Sequence, residues 1–384
     1  MSWITARQAL AALGVQPQTL YANVSRGRIR AKPDPKDSRR SLYYSEDVNR
    51  LAIRRSGRRS VALVAAETIG WGDPVLASSI STVADRRLWY RGRDAIALSD
   101  TANLEEVAAV LWEAEDVWSR STLCADGNGD RHALPLQAAL FLLSRRAAID
   151  PPSRGRSRAV LAAEACDLVN ELLRALIGDD ASCSMAIHSR MASTWRAAPA
   201  EDIIRRALVL LADHELNAST FAARVCASTG ASLSAGLLAG LATLSGPLHG
   251  GASMAVLKLA QSTRQAGAKE AVRDWLSRGH PLPGFGHPLY ADGDPRAMAL
   301  LAHVQPRPIY AELRAAVEAL TGEYPNVDFA IAAMADAHDL PSTAPFTIFT
   351  VARSVGWIAH IFEQSAGGNL IRPRARYIGP PLTG

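Results

Sequence analysis

Three histidines, one aspartate and three arginines, spread over the last half of a 384-residue chain, make a set able to handle a small anionic substrate. They lie in DHELNAST (Asp213 to Thr220), GPLHGGA (Gly246 to Ala252), PGFGHPLYADGDPRA (Pro283 to Ala297), NVDF (Asn326 to Phe329), VARSVGWIAH with Arg353, and IRPRARYIG with Arg372. In GPLHGGA one imidazole stands between a proline turn and a glycine pair. Glycines there allow backbone and substrate to approach closely, and a turn leading into a helix aims free N–H groups and the positive dipole end at the site. Such a place lowers the imidazole pKa and favours a neutral His249 that donates a hydrogen bond to a developing enolate.

Other chemistries lack their residues. There is no HExxH and no closely spaced His/Cys set for zinc, no GxSxG elbow and no Walker phosphate loop. No metal or resident cofactor is expected. Taken singly, Asp328 reads equally as a helix N-cap, Arg353 and Arg372 as partners of acids, and His249 as a buried residue that satisfies a helix end.

The elements that must position these groups are helical. The chain is 48% hydrophobic and only 6% aromatic, a balance that suits a mainly α protein. NLEEVAAVLWEAED sets Leu104, Val107, Ala108, Leu111 and Trp112 on one helical face, and SSISTVADRRLWYRGRDAIALSD predicts a short hairpin before it. Helical patterns continue through LPLQAALFLLSRR, AEACDLVNELLRALIG and PAEDIIRRALVLLADHELNASTFAARVCA. Four scattered cysteines, the absence of a cleavage-site pattern and the absence of a run of about 18 apolar residues predict a cytoplasmic protein with no membrane span.

Residues 1–60 read as a separate module. They hold 13 Lys or Arg against 4 Asp or Glu, so a total charge of +5 is distributed as +9 here and −4 elsewhere. Thr5 is a plausible N-cap of a first helix, Gly14 makes a turn, and Pro17 to Val24 make a second helix. A two-stranded wing with Arg39 and Arg40 at its tip follows, then a helix capped at Ser45. This order resembles the winged helix-turn-helix of the MerR and excisionase families. The resemblance implies DNA binding, with Gln18, Thr19 and Asn23 toward a major groove and Arg26, Arg28, Arg30, Arg39 and Arg40 toward phosphates. A module whose positive face is merely solvated is the alternative.

From about residue 61 to the end, the quoted motifs resemble the citrate synthase family in sequence and in order, and STVADRRLWYRG and LEEVAAVLW resemble that family's N-terminal hairpin and first helix. The resemblance implies an all-helical dimer: a large domain from 61–251 and 335–384, a small one from 252–334, and an active site in the cleft between them. It implies condensation of an acyl-CoA, acetyl-CoA foremost, with oxaloacetate to give citrate, and no metal. By the same carry-over Asp328 is the base, His249 stabilises the enol, and His287 hydrogen-bonds and protonates the ketone. His214, Arg296, Arg353 and Arg372 surround the oxo acid, Arg372 coming from the second subunit. Phe349 packs beside the substrate, or else is a core residue.

Two departures from the family pattern stand out. Where many members have basic residues directly after the histidine and three positions later, this chain has Pro288 and Ala291, followed by Asp292. Ile331 replaces a small polar residue after Asp328, and one methylene in such a pocket is worth only about 1 to 3 kcal/mol, which leaves acetyl and propionyl donors, hence citrate and 2-methylcitrate, both open. A transcription regulator that uses the same body to sense oxo acid or acyl-CoA is the competing class. His132, His188, His280, His303, His338 and His360 match no motif.

Overall fold

The computed structural model describes residues 3–13, 19–20, 23–24, 29–34, 37–45, 47–48, 76–115, 118, 134–178, 185–290, 292–375 and 377–380. The chain forms two compact units, Ser78–Pro373 and a second made of Met1–Ala77 with Arg374–Gly384.

In the N-terminal unit, β1 (Trp3–Thr5) leads into α1 (Ala6–Leu13). Thr5 caps that helix, since its Oγ1 accepts from Gln8 N–H and the Gln8 amide oxygen accepts from Thr5 N–H, a reciprocal capping pair. β2 (Ala31–Asp34) and β3 (Asp37–Tyr44) are antiparallel, and β3 lies between β1 and β2. Ala9, Leu13, Leu20, Ile29, Tyr43 and Val48 bury a small core of their own. Thr19, Leu20, Asn23 and Val24 are helical, while Gln18, Arg26 and Arg28 lie outside the described residues.

Four of the nominated residues have surroundings that the sequence does not announce. Arg39 and Arg40 are within β3, not at the tip of the hairpin, because the strand already begins at Asp37. Arg30 donates from Nε and Nη2 to Asp47 at 2.8 and 3.1 Å and stacks on Tyr44 at 3.9 Å. A guanidinium so paired is a clamp within the module, with its charge already matched. Asn23 donates to the Thr19 carbonyl one helical turn back.

The larger unit opens with an antiparallel sheet of β4 (Ser81–Ala84), β5 (Arg87–Tyr90) and β6 (Arg93–Asp94), in that order. Asp85 and Arg86 join the first two strands with φ of 51° and 61°, the paired left-handed conformation of a two-residue hairpin turn. Helices follow: α2 (Ala95–Thr101), α3 (Leu104–Trp112), α4 (Pro135–Ile149), α5 (Arg158–Ile177), α6 (Ile187–Thr194), α7 (Glu201–Leu211), α8 (Ala218–Ser228), α9 (Leu233–Leu244), α10 (Ala252–Ala266), α11 (Ala268–Ser277), α12 (Pro295–Leu301), α13 (Pro308–Thr321), α14 (Val327–Ala337) and α15 (Ala344–Gly367).

Helix α3 follows its sequence pattern: Asn103 and Glu106 form a capping box, all five apolar positions are fully buried, and Glu113 closes the helix in the left-handed region. The apparent long helix from 201 to 227 is instead two. It breaks at Ala212–Asn217, where the Asn217 side chain accepts from Thr220 N–H and starts α8. The break leaves Asp213 and His214 in a non-helical segment.

Two hydrophobic clusters fill this unit. The larger surrounds α15, whose sides are buried almost all round against α3, α5, α7, α8 and α9. The smaller joins α10, α11, α13 and α14 through Val256, Leu259, Val272, Leu313, Val317 and Phe329. No helix among the described residues is long and apolar enough to cross a membrane.

The crossing of α9 and α15 depends on a missing side chain. A Cβ on Gly240 would lie 2.7 Å from the Trp357 ring, and that ring is fully buried. Alanine favours a helix over glycine by about 1 kcal/mol, while overpacking a core costs about 1–3 kcal/mol. Gly240→Ala is therefore expected to lose stability by roughly 1 to 2 kcal/mol in chemical denaturation; a gain would show that the two helices can part freely.

Candidate active site

The four motif segments converge where the two clusters meet, and each is held by backbone physics. After α9, Gly246 to Gly251 form a tight double turn in which His249 N–H donates to the Gly246 carbonyl and Gly250 N–H to the Leu244 carbonyl. A Cβ on Gly250 would stand 2.7 Å from the Leu244 oxygen, so backbone packing against backbone accounts for this glycine. His249 Nε2 is 2.8 Å from Ser219 Oγ, a hydroxyl that accepts from the Trp357 indole N–H at 3.1 Å and whose single proton serves either His249 Nε2 or, at 2.7 Å, Asn217 Oδ1. The ring is thereby fixed by α8 and α15, with Nε2 occupied and the Nδ1 edge left for a ligand.

His287 lies in the loop between α11 and α12. Asn326 ties this loop to the start of α14: its N–H donates to the Gly284 carbonyl and its Nδ2 to the Gly286 carbonyl, while its Oδ1 accepts from Asp328 N–H. Leu289 N–H donates to His287 Nδ1 at 3.2 Å, which leaves the ring proton of the neutral form on Nε2. His287 and His214 meet edge to face at 5.1 Å, and Tyr290 lies 4.9 Å from His287 with its hydroxyl 2.9 Å from His214 Nε2.

Both arginines on helices are buried. Arg296 forms a bidentate pair with Asp294, 3.0 Å from Nε and 2.8 Å from Nη2, and the same carboxylate accepts from Val327 N–H. Asp294 thus fixes one cation and the first turn of α14 together. Arg353 is 1% exposed, donates from Nε to the Leu211 carbonyl at 3.0 Å, and stacks on Phe349 at 4.8 Å. Among the described residues no carboxylate lies within ion-pair distance of it, so this cation is buried without a counter-ion of its own. Phe349 also meets His249 edge to face at 6.0 Å.

The electrostatics separate the acid from its neighbours. Burial, with Arg353 adding to it, pushes His249 down to about 4; burial and Arg296 do the same to His287, also about 4, against Asp294. Burial, Arg296, His287 and Arg353 hold His214 well below the usual imidazole range. All three rings are neutral at pH 7, as the sequence implied for His249, but burial and a neighbouring cation are the causes. Burial raises Asp328 to about 7, with Asp294 adding to the rise and Arg296 and Arg353 opposing it. Its Oδ1 is shielded from solvent and has no hydrogen-bond partner.

Of the expected site residues, His214, His249, His287, Arg296, Asp328, Phe349 and Arg353 form one connected group. Arg372 does not join it within one chain: it is exposed in the stretch after α15. Ile331 is fully buried in the larger hydrophobic cluster. The altered loop carries a cation contact of its own, since Asp292 pairs with Arg86 at 2.7 Å. Sequence reasoning passed over Ser219, Tyr290, Asp294, Asn326 and Trp357 as supports, although each stands inside a quoted motif. It also gave His360 no role, yet His360 is fully buried with Nε2 3.3 Å from Asp213.

A family model described as the citrate synthase C-terminal domain matches residues 138–374. The putative citrate synthase 2 of Mycobacterium tuberculosis (strain ATCC 25618 / H37Rv) is 39% identical over 214 residues, which are 52% of this chain and 57% of that protein. The chain thus spans little more than half the length of that relative. Citrate synthase 2 of Bacillus subtilis (strain 168) is 31% identical over 348 residues, 79% of this chain and 93% of that protein. The crystal structure of citrate synthase from Thermotoga maritima MSB8 superposes with a TM-score of 0.66 at 25% identity, covering 82% of this chain and 96% of that one. With more than half of its length matched by the family model and the Bacillus protein aligned almost end to end, the chain belongs to the citrate synthase family.

Proposed function

We propose that this chain condenses an acyl-CoA, acetyl-CoA foremost, with oxaloacetate and water to give citrate and free CoA. The observation that carries the reading is Asp328: a shielded carboxyl with an open oxygen, titrating at about 7, beside neutral imidazoles and a buried cation without a counter-ion. A carboxylate of that basicity is matched to taking a proton from carbon next to a thioester at neutral pH.

In this reading Asp328 removes the α-proton, the Ser219 hydroxyl donates its hydrogen bond to His249 Nε2 so that the ring proton sits on Nδ1, and Nδ1–H donates to the thioester oxygen as negative charge develops there. His287, with its proton on Nε2, donates to the oxaloacetate ketone, and the new carbon–carbon bond forms between them. His214, Arg296 and Arg353 take the two carboxylates, with Arg372 of the partner subunit completing the pocket of a homodimer. The segment 252–334 serves as the small domain, closing over the substrates. Water then cleaves the thioester and CoA leaves. The reaction is a cytoplasmic one and uses no metal.

The test is release of CoA thiol by the purified chain with oxaloacetate and either acetyl-CoA or propionyl-CoA, with the Asp328→Asn protein as control. Oxaloacetate-dependent release that the control lacks supports the reading, and the ratio of rates names citrate or 2-methylcitrate as product. A folded dimer inert to both thioesters sinks it.

A second reading concerns residues 1–60: a winged helix-turn-helix that binds DNA. It is favoured by an excess charge of +9, a small core of its own and the antiparallel β2–β3 pair. Gln18, Thr19 and Asn23 would read bases, and Arg26, Arg28, Arg39 and Arg40 would meet phosphates; Arg30 is left out because Asp47 holds it. Each phosphate neutralised lowers the log–log salt slope by about 0.9, so duplex affinity should fall steeply with salt and vanish on deleting residues 1–60. Equal, salt-insensitive binding by full-length and truncated chains would discard the idea.

A further inference from the structure

Next to His214 stands Glu215 with φ of 51°, a left-handed conformation that a long side chain adopts only under constraint. The constraint is visible. Val83 N–H donates to Glu215 Oε1 at 2.6 Å and Thr82 Oγ1 to the same oxygen at 3.2 Å, while Glu215 N–H donates to Ser81 Oγ at 2.9 Å. Ser81 in turn donates to Asp213. Strand β4 therefore grips the residues on both sides of His214. At the tip of the same hairpin Arg86 pairs with Asp292, in the loop that carries His287 and Tyr290. At its far end the Tyr90 hydroxyl is bonded to the Val209 carbonyl at the end of α7 and to Asp213 N–H.

We propose that Glu215 is a positioning residue: anchored to the β4–β5 hairpin, it holds the backbone in a strained turn that aims the His214 ring into the oxo-acid pocket. An unstrained residue here would let the segment relax toward ordinary φ and swing the ring away, and the anchor is what prevents it. The proposal rests on the reading of His214 as an oxo-acid ligand for its kinetic consequence, but not for its geometric one.

The experiment compares the parent chain with Glu215→Gly and Glu215→Gln. Glycine accepts the left-handed conformation, so Glu215→Gly tests loss of the anchor without adding strain. Its thermal unfolding should stay close to the parent's. The oxaloacetate KM should rise at least tenfold, with kcat and the acyl-CoA KM changing less than about twofold. Glu215→Gln keeps an acceptor oxygen for Val83 and Thr82 and should recover most of the affinity.

The ring itself is read by NMR. In the parent, burial keeps His214 unprotonated well below the ordinary imidazole range; in Glu215→Gly the released ring should titrate near about 6.5. An unchanged KM together with an unchanged His214 titration overturns the proposal. If Glu215→Gly does not fold, Ser81→Ala removes the other half of the grip and must raise the oxaloacetate KM in the same direction, failing which the proposal falls. A parent chain without condensing activity would count against the proposed function alone, since the titration of His214 still decides whether Glu215 positions it.

Discussion

Replacing Asp328 by asparagine lowers the rate of thioester condensation by about a hundredfold to ten-thousandfold while oxaloacetate still binds, because a positioned general base supplies about 10²–10⁴ and no other carboxylate of the site is available to take its place. Asp294, the nearest candidate, is committed to Arg296 and the Val327 N–H. The same substitution changes the pH behaviour in two ways. In the parent, kcat/KM rises with pH as Asp328 ionises around 7. For stability the sign is opposite to that of a usual aspartate. The folded pKa lies above the ordinary 3.8, so between about pH 4 and 7 the unfolded chain gives up this proton first, and stability is lost as pH rises.

That contribution approaches 1.4 kcal/mol per pH unit across the window, the linkage slope for one proton. Asparagine has no such proton to lose. The variant should therefore unfold at a higher temperature than the parent above pH 7, and the two should converge toward pH 4. Calorimetric scans at several pH values check this alongside thiol release. An Asp328→Asn protein that turns over normally, or that is less stable than the parent at pH 8, would remove Asp328 from its assigned place.

How much of this site could be read from the sequence varies with the physics involved. Helix α3 was legible because its apolar positions repeat with the helical period and its ends carry capping chemistry in the sequence itself. The break at Ala212–Asn217 was not, since the apolar period runs up to it and resumes after it, and only the Asn217 cap announces a new start. His249, His287, Asp328 and Arg353 are marked by the motifs in which they stand. The pairing of Arg30 with Asp47 is invisible in the sequence, because a basic module makes every arginine look like a phosphate contact and Asp47 lies seventeen residues away. The strain at Glu215 has no signature in residue type, because a left-handed glutamate arises from contacts with a hairpin more than a hundred residues earlier. Tyr290 and Ser219 act through the rings they touch, and such contacts appear only once the loops are folded.

Arg353 yields the second large effect, and it follows from an imbalance. A buried cation without a counter-ion is costly, and Arg353 shows the cost: burial, with Arg296 adding to it, pulls its pKa down to about 10 against the pull of Asp213. A dicarboxylate entering the pocket supplies the missing charge. Arg353→Met, which keeps length and apolar bulk beside Phe349, should therefore leave the empty protein at least as stable as the parent. It should also cost about 2–5 kcal/mol of oxaloacetate affinity, the range for truncating one partner of a buried charge pair, or roughly 30- to several-thousand-fold in Kd. Thermal unfolding separates the two effects in one experiment. Oxaloacetate at saturating concentration raises the melting temperature of the parent by mass action and leaves that of Arg353→Met unmoved. The His249 ring, relieved of a cation, should titrate at higher pH in the variant, a shift that loss of packing alone would not produce. Equal stabilisation of both proteins by oxaloacetate would show that the dicarboxylate is held elsewhere, and that Arg353 is buried for a reason other than this ligand.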